Sequence, residues 1–262
     1  MIIDLSGKNA LVCGSTKGIG LAIAKQFALL GANVTLMSRN GALLERIVKD
    51  LDNSKNQQHD FLVADFSKPQ QVKEAIEKQI ENHHIYQILV NNSGGPSPGP
   101  VLNAREEEFL MAFNAHLLSS HYLVQNTIDG MKQSGYGRII NIISTSVKIP
   151  LKGLGVSNTI RGAVANWSKT LASEVAQWGI TVNNILPGAT ATDRLKQIIE
   201  GKAIKQNHSV DEVNNEMLSE IPMNRFAQPE EIAYTAAFLA SNYAAYITGI
   251  NVPVDGGRTG NL

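Results

Sequence analysis

Three glycines carry the most specific chemistry in this chain. They lie in the run Asn9-Ala10-Leu11-Val12-Cys13-Gly14-Ser15-Thr16-Lys17-Gly18-Ile19-Gly20-Leu21, spaced G-x-x-x-G-x-G. The apolar segment Ala10 to Cys13 has the length and composition of a buried parallel strand. After the glycines, Leu21, Ile23, Ala24, Phe27 and Ala28 recur at helical spacing. A strand that turns through glycines into a helix points unpaired N–H groups, and the positive end of the helix dipole, at whatever rests on the turn. Glycine has no Cβ to hold the backbone away from phosphate oxygens, and positive φ costs it little. The predicted occupant is an anionic pyrophosphate, cradled by Gly14, Ser15, Thr16, Lys17, Gly18, Ile19 and Gly20. The competing reading is a glycine-rich turn with no ligand, since glycine motifs have false positives.

A second chemical signal lies about 20 positions further on. A strand over Asn33 to Met37 ends in Ser38-Arg39-Asn40. In a dinucleotide fold an acidic residue at this tip bonds the ribose 2′-OH and favours NAD, whereas an arginine accommodates a 2′-phosphate. Ser38 and Arg39 stand here with no Asp or Glu, and Lys17 offers a second positive charge. A planar guanidinium suits a phosphate. The expectation is therefore NADP(H) in preference to NAD(H), with a merely solvated loop arginine as the alternative.

The elements that must position these groups follow from periodicity. Further strands are expected at Phe61 to Ala64, Ile85 to Val90, Arg138 to Ile143, Ile180 to Leu186 and Ile250 to Val254. Helices alternate with them: Ala42 to Leu51, from Pro69 to Glu81, an unbroken Arg105 to Gln133, Gly155 to Trp178, and Pro229 to Ala240. Alternation of this kind predicts an α/β fold, a doubly wound parallel sheet of about seven strands with helices on both faces. Residues 1–262 read as a single domain. Asp65, closing the third strand, either bonds adenine or caps the helix that begins at Pro69. Asn91-Asn92-Ser93-Gly94-Gly95 follows the fourth strand, where doubly wound folds bind ligands.

Lys plus Arg and Asp plus Glu both number 23, so no net field attracts nucleic acid or an acidic membrane. The one cysteine, Cys13, reads as a small core residue. Met1-Ile2-Ile3-Asp4 has neither a basic region nor a long apolar run, and no segment reaches the ~18 apolar residues of a membrane span. A cytoplasmic protein with no nucleic-acid or membrane partner is expected. No metal-binding cluster is indicated.

Together these residues resemble the short-chain dehydrogenase/reductase family over Leu5 to about Gly257. The marks are Gly14 to Gly20, Asn91-Asn92-Ser93-Gly94, Pro187-Gly188, Pro229-Glu230-Glu231-Ile232-Ala233 and Val254-Asp255-Gly256-Gly257. The resemblance implies a Rossmann-like fold and an oxidoreductase interconverting a carbonyl and an alcohol of a small-molecule substrate. It implies that Asn91, Ser93 and Gly94 line the cofactor cleft and that Asp65 and Phe66 flank adenine. Pro187, Gly188, Thr190 and Thr192 would sit near the nicotinamide. It further implies a homotetramer or homodimer built through the long helices.

Catalysis in this family is attributed to an Asn, a Ser and a Tyr-x-x-x-Lys pair. Asn114 and Ser144 match the first two. At the tyrosine and lysine positions stand Ser157 and Arg161, and no tyrosine lies between Tyr136 and Tyr234 to rescue the motif. Residues four apart share a helix face, so Ser157 and Arg161 are expected to point together into the cleft, Arg161 also reaching cofactor ribose or an acidic substrate group. Tyrosine, with a pKa near ~10, can be tuned to act as acid or base. A serine hydroxyl is far less acidic and needs a partner to move a proton. His116 lies two residues after Asn114, off its helix face, and reads as a packing or surface histidine. Two further readings stay open: a catalytically inactive dinucleotide-binding sensor or structural protein, and non-redox chemistry in a borrowed cleft. Residues 190–226, rich in mixed charge, are expected to form a substrate lid.

Overall fold

The computed structural model of the protein describes residues 2–82 and 84–260. In chain order its elements are β1 (Asn9–Cys13), α1 (Gly18–Leu29), β2 (Asn33–Ser38), α2 (Gly41–Asp50), β3 (Asp60–Val63), α3 (Pro69–Glu81) and β4 (Ile88–Asn91). There follow α4 (Glu106–Phe113), a π-turn (Asn114–Leu118), α5 (Ser119–Ser134), β5 (Gly137–Ile142), α6 (Gly155–Val175) and β6 (Ile180–Pro187). The chain closes with α7 (Asp193–Gln206), α8 (Val210–Ser219), α9 (Pro229–Ala240) and β7 (Asn251–Val254). Among the described residues the strands form one sheet in the order β3-β2-β1-β4-β5-β6-β7, and every neighbouring pair is parallel.

Side chains alternate across a strand, and here the alternation sorts them into two cores. Ala10 and Val12 of β1 join Val34, Leu36, Ile88 and Val90 beneath α1, α2 and α9, where Ile23, Phe27, Leu44 and Ile232 fill the layer. Leu11 and Cys13 face the other way, with Met37, Leu89, Ile139 and Val182 against Val72, Ile76, Leu123 and Val175 of α3, α5 and α6. Each large side chain fully buried in these layers contributes roughly 1.5–3 kcal/mol. Both faces are thus covered, as a parallel sheet requires.

The chain winds outward from β1 to β3 and then crosses back to β4, so strand order reverses between β1 and β4. Crevices at such a reversal, outside the carboxyl ends of the strands, are where open α/β sheets take ligands. The glycine turn after β1 and the Asn91–Gly95 segment after β4 meet there: Asn92 Nδ2 donates to Cys13 O at 3.2 Å and to Gly14 O at 3.3 Å.

One region differs from the sequence expectation. The helix expected to run unbroken from Arg105 to Gln133 is interrupted by the π-turn at Asn114–Leu118. An inserted residue of this kind is common at functional sites and leaves no trace in hydrophobic spacing. Residues 190–226 fold into α7 and α8, which pack through Leu195, Ile199, Ala203, Val213 and Met217 into a small core of their own, with Ala189 and Phe226 at its edge. No helix among the described residues is long and apolar enough to cross a membrane, and none of their His, Cys, Asp or Glu side chains group as a metal site.

Candidate active site

The glycine turn accepts no larger residue at two of its positions. A Cβ on Gly20 would lie 2.3 Å from Gly14 O, and one on Gly14 (φ +58°) would lie 2.7 Å from Asn92 O. Lys17, at the N-cap of α1, gives no side-chain hydrogen bond to the first helical N–H groups, and no acidic residue sits in that turn. The positive end of α1 is therefore left for an external anion. That cradle fits the pyrophosphate of a dinucleotide. Not every side chain of the turn faces the ligand, however. Ser15 is fully buried, and its Oγ accepts from Met37 N–H at 3.1 Å, which ties the end of β1 to β2. The Ser15 hydroxyl is thus committed to β2.

Thr16 Oγ1 lies 3.5 Å from Ser38 Oγ, so the turn and the β2 tip adjoin. Arg39 is exposed at that tip and its charge acts on Asp65. Burial works to raise the Asp65 pKa, but hydrogen bonds from Ser67 and the charges of Arg39 and Lys68 overrule it and hold the carboxyl below its usual range. Of its two expected roles, Asp65 caps no helix: Lys68 is the N-cap of α3, while Asp65 Oδ1 accepts from Ser67 N and Oγ at 3.0 and 2.8 Å. Lys17 pairs with Asp193 at 3.5 Å. Both partners are well exposed, so this pair contributes little stability.

On the other side of the crevice, Thr190 is buried and Thr190 Oγ1 donates to Gly188 O at 3.1 Å. Thr192 caps α7, accepting from Leu195 N–H at 3.4 Å, and its methyl lies 3.2 Å from where a Gly18 Cβ would stand. The start of the 190–226 segment thus overhangs the glycine turn. Arg194 Nη2 reaches across to donate to Pro96 O at 2.5 Å. Gly188 packs directly on Asp255 of the segment after β7, where a Cβ would meet Asp255 Cα at 2.7 Å.

Asn114 opens the π-turn and is half-buried. Ser144, beyond β5, is half-buried and its Oγ accepts from Ser146 N–H at 3.1 Å. Ser157 is half-buried on α6. Arg161, one turn later, differs from expectation. It is only 8% exposed, and its Nη1 donates to Ile142 O at 2.6 Å, so part of the guanidinium is spent inward on the sheet. Burial, with the charge of Arg194 adding to it, lowers its pKa to about 10, still a cation at neutral pH.

Arg161, Asn91, Ser93 and Phe66 line one cavity of about 10 Å3, together with His116 and Asn141; Asn114, Ser144 and Ser157 lie outside it. His116 is the residue that sequence reasoning undervalued. It is buried, as a packing histidine would be, yet its Nδ1 stands 2.6 Å from Ser93 Oγ. The π-turn changes which side chains share a helix face, so the spacing rule that separated His116 from the site does not apply there.

The sequence model of a family described as Enoyl-(Acyl carrier protein) reductase matches residues 14–259. A 3-oxoacyl-(acyl-carrier-protein) reductase of Chlamydia trachomatis is 34% identical over 256 residues, covering 97% of this chain and 98% of the relative. The chain belongs to the short-chain dehydrogenase/reductase family. The NADPH-dependent reductase BacG of Bacillus subtilis is 32% identical over 97% of this chain and 98% of its own. Among solved structures of the family, the L-sorbose reductase of Gluconobacter frateurii, complexed with NADPH and L-sorbose, superposes with a TM-score of 0.93 at 31% identity over 100% of both chains. These short-chain family relatives are reductases, which gives no support to the reading of an inactive binding protein.

Proposed function

We propose that this short-chain dehydrogenase/reductase uses NADP(H) to interconvert a carbonyl and an alcohol by hydride transfer, with an Asn/Ser/Ser/Arg site in place of the family's Asn, Ser, Tyr and Lys. The observation that carries the cofactor reading is the uncapped, glycine-lined start of α1 beside a β2 tip that bears Ser38 and Arg39 and no acid. The relatives named for NADPH support it.

In this reading the backbone N–H groups of Gly14 to Gly20 hold the pyrophosphate, with Thr16, Lys17, Gly18 and Ile19 around it. Ser38 and Arg39 hold the 2′-phosphate, Asp65 and Phe66 flank adenine, and Asn91, Ser93, Gly94, Pro187, Gly188, Thr190 and Thr192 border the nicotinamide half. When bound, the nicotinamide supplies or accepts the hydride at the reacting carbon. Asn114, Ser144 and Ser157 are the polar groups around the reacting oxygen. In reduction, the carbonyl oxygen gains negative charge as the carbon gains hydride, and Ser144 and Ser157 stabilise it by donating hydrogen bonds. The proton that completes the alcohol passes from solvent water by way of the Ser157 hydroxyl. Arg161 stands behind the site as a buried cation, favouring negative charge on the oxygen without giving up its own proton. The α7–α8 segment closes over the substrate as a lid. In this reading the protein is a cytoplasmic homotetramer or homodimer joined through α5 and α6, between which a groove of about 340 Å3 is lined by Val124, Ile128, Trp167 and Leu171.

Fluorescence titration tests the cofactor, and NADPH is expected to bind far more tightly than NADH; equal affinities would remove the role given to Ser38 and Arg39. A carbonyl and alcohol panel with NADP(H), run on the wild type and on Arg161→Ala, tests the chemistry. Turnover unaffected by that change takes Arg161 out of the mechanism, and no turnover on any substrate sinks the activity.

A further inference from the structure

Across four neighbouring strands, β4 to β7, Asn91, Asn141, Asn184 and Asn251 stand in register. Asn91 Nδ2 donates to Asn141 Oδ1 at 2.8 Å, Asn141 Nδ2 to Asn184 Oδ1 at 2.9 Å, and Asn184 Nδ2 to Asn251 Oδ1 at 2.8 Å. An amide nitrogen only donates and an amide oxygen only accepts, so the row has a direction. Its first oxygen, Asn91 Oδ1, is left buried and without a partner. Two other buried atoms in the same condition belong to residues lining the same cavity, Arg161 Nε and His116 Nε2.

Three orphaned polar atoms on residues around about 10 Å3 of free space match the room and the partners that one water molecule needs. Donor and acceptor accounting favours the arrangement that uses both hydrogens of that water. Arg161 Nε–H can only donate to it, and Asn91 Oδ1 can only accept from it. Its second hydrogen then needs an acceptor, and His116 Nε2 is the atom at hand. Reversing the whole asparagine row would face Asn91 Nδ2 to the water as a second donor, leaving His116 Nε2 as the sole acceptor of the three. The outcome for the imidazole is the same. Burial and the charge of Arg161 hold His116 well below its ordinary pKa, so the ring is neutral and carries one N–H. With Nε2 accepting, that hydrogen is on Nδ1, and Nδ1 donates to Ser93 Oγ at 2.6 Å.

We propose that this cavity is a one-water site whose water holds His116 in the Nδ1–H tautomer, and that His116 is thereby a positioning residue which leaves the Ser93 hydroxyl free to donate its hydrogen to an oxygen acceptor of a ligand in the cleft. Ser93 is half-buried on the segment after β4, beside the glycine turn. A ribose hydroxyl or an amide carbonyl oxygen is the class of acceptor it suits. Only the ligand rests on the cofactor reading; the water and the tautomer do not.

Imidazole 15N NMR of the unliganded full-length protein tests the core of the claim, with the His116 resonance assigned by its loss in His116→Asn. The expected result is a protonated Nδ1 and an unprotonated Nε2 at neutral pH. A proton on Nε2, or an imidazolium, overturns the proposal. The positioning role is read by NADPH titration of three variants, with melting temperature recorded alongside. Asparagine keeps a donor near the place of Nδ1, whereas glutamine keeps one near Nε2. His116→Asn is expected to stay within about threefold of the wild-type Kd, while His116→Gln and Ser93→Ala each lose about tenfold or more. Equal losses in His116→Asn and His116→Gln overturn the positioning role. A wild type that fails to bind NADPH sinks the cofactor reading instead, and the NMR result still decides the tautomer.

Discussion

The crevice at the carboxyl edge of the sheet has two sides built on opposite principles. On the β1–β2 side the work falls to backbone: glycines where a Cβ would strike Gly14 O or Asn92 O, and helix N–H groups without a cap. The side chains there are exposed, like Arg39 and Lys17, or committed elsewhere, like Ser15. On the β4–β6 side the work falls to buried polar side chains paired with one another: the asparagine row, His116 with Ser93, and Arg161 on Ile142 O. One side is damaged by adding an atom and the other by removing one. The first leaves backbone N–H groups open to an anion; the second holds particular hydroxyls in particular orientations.

Substitutions that add or remove atoms break or sharpen this contrast. The largest effect is expected from Asn141→Leu, which keeps the branching at Cγ, orphans Asn91 Nδ2 and Asn184 Oδ1 and removes the hydrogen bond to Ser168 Oγ. Each buried unpartnered group costs about 1–3 kcal/mol, so urea unfolding should show a loss of about 2–6 kcal/mol from the two amide groups. A loss below ~1 kcal/mol would mean that the row is incidental to the fold. Next is Gly20→Ala, which drives one carbon against Gly14 O. Overpacking of about 1–3 kcal/mol corresponds to roughly 10–100-fold weaker NADPH binding if the turn yields by opening. Unchanged affinity would show that the turn has slack that the geometry denies.

Arg39→Ala removes an exposed charge and no packing. NADPH should bind about tenfold more weakly, with NADH unaffected. A smaller effect concerns pH. Because His116 is held below its ordinary pKa of 6.5, the unfolded chain takes up a proton that the folded chain resists. The stability this contributes is complete above pH 6.5 and is lost as pH falls below it, so His116→Asn should flatten the acid side of a stability profile. An unchanged acid limb would argue that His116 is solvated. The smallest effect belongs to Lys17→Ala, expected to change stability by less than ~1 kcal/mol because the Asp193 pair is exposed.

The β1–β2 side was legible in the chain because its requirements are local. A glycine turn, a strand before it and a helix after it are consecutive residues, and only one residue type meets the steric demand at Gly14 and Gly20. The start of α3 at Pro69 and the span of α9 from Pro229 to Ala240 were legible for the same reason, a fixed φ that suits the first helical turn. The π-turn at Asn114 was not, since one inserted residue barely disturbs the apolar pattern on either side. Nor was the direction of Arg161: a helix position four residues from Ser157 shares its face, but a long side chain on that face can still bend back to a strand carbonyl.

Sequence alone determined the alternation of strand and helix, the glycine turn between β1 and α1, the Ser38–Arg39 tip of β2 and the presence of Ser157 and Arg161 where the family has tyrosine and lysine. It could do so because each depends on neighbours within a few positions along the chain. Tertiary structure decided that Asn91, Asn141, Asn184 and Asn251 share one row, that His116 meets Ser93, and that Arg161 lines one cavity with Asn91, Ser93 and His116. Those pairings join residues from 23 to 67 positions apart, and hydrogen-bond partners at such separations are chosen by strand register and packing, which no local pattern encodes.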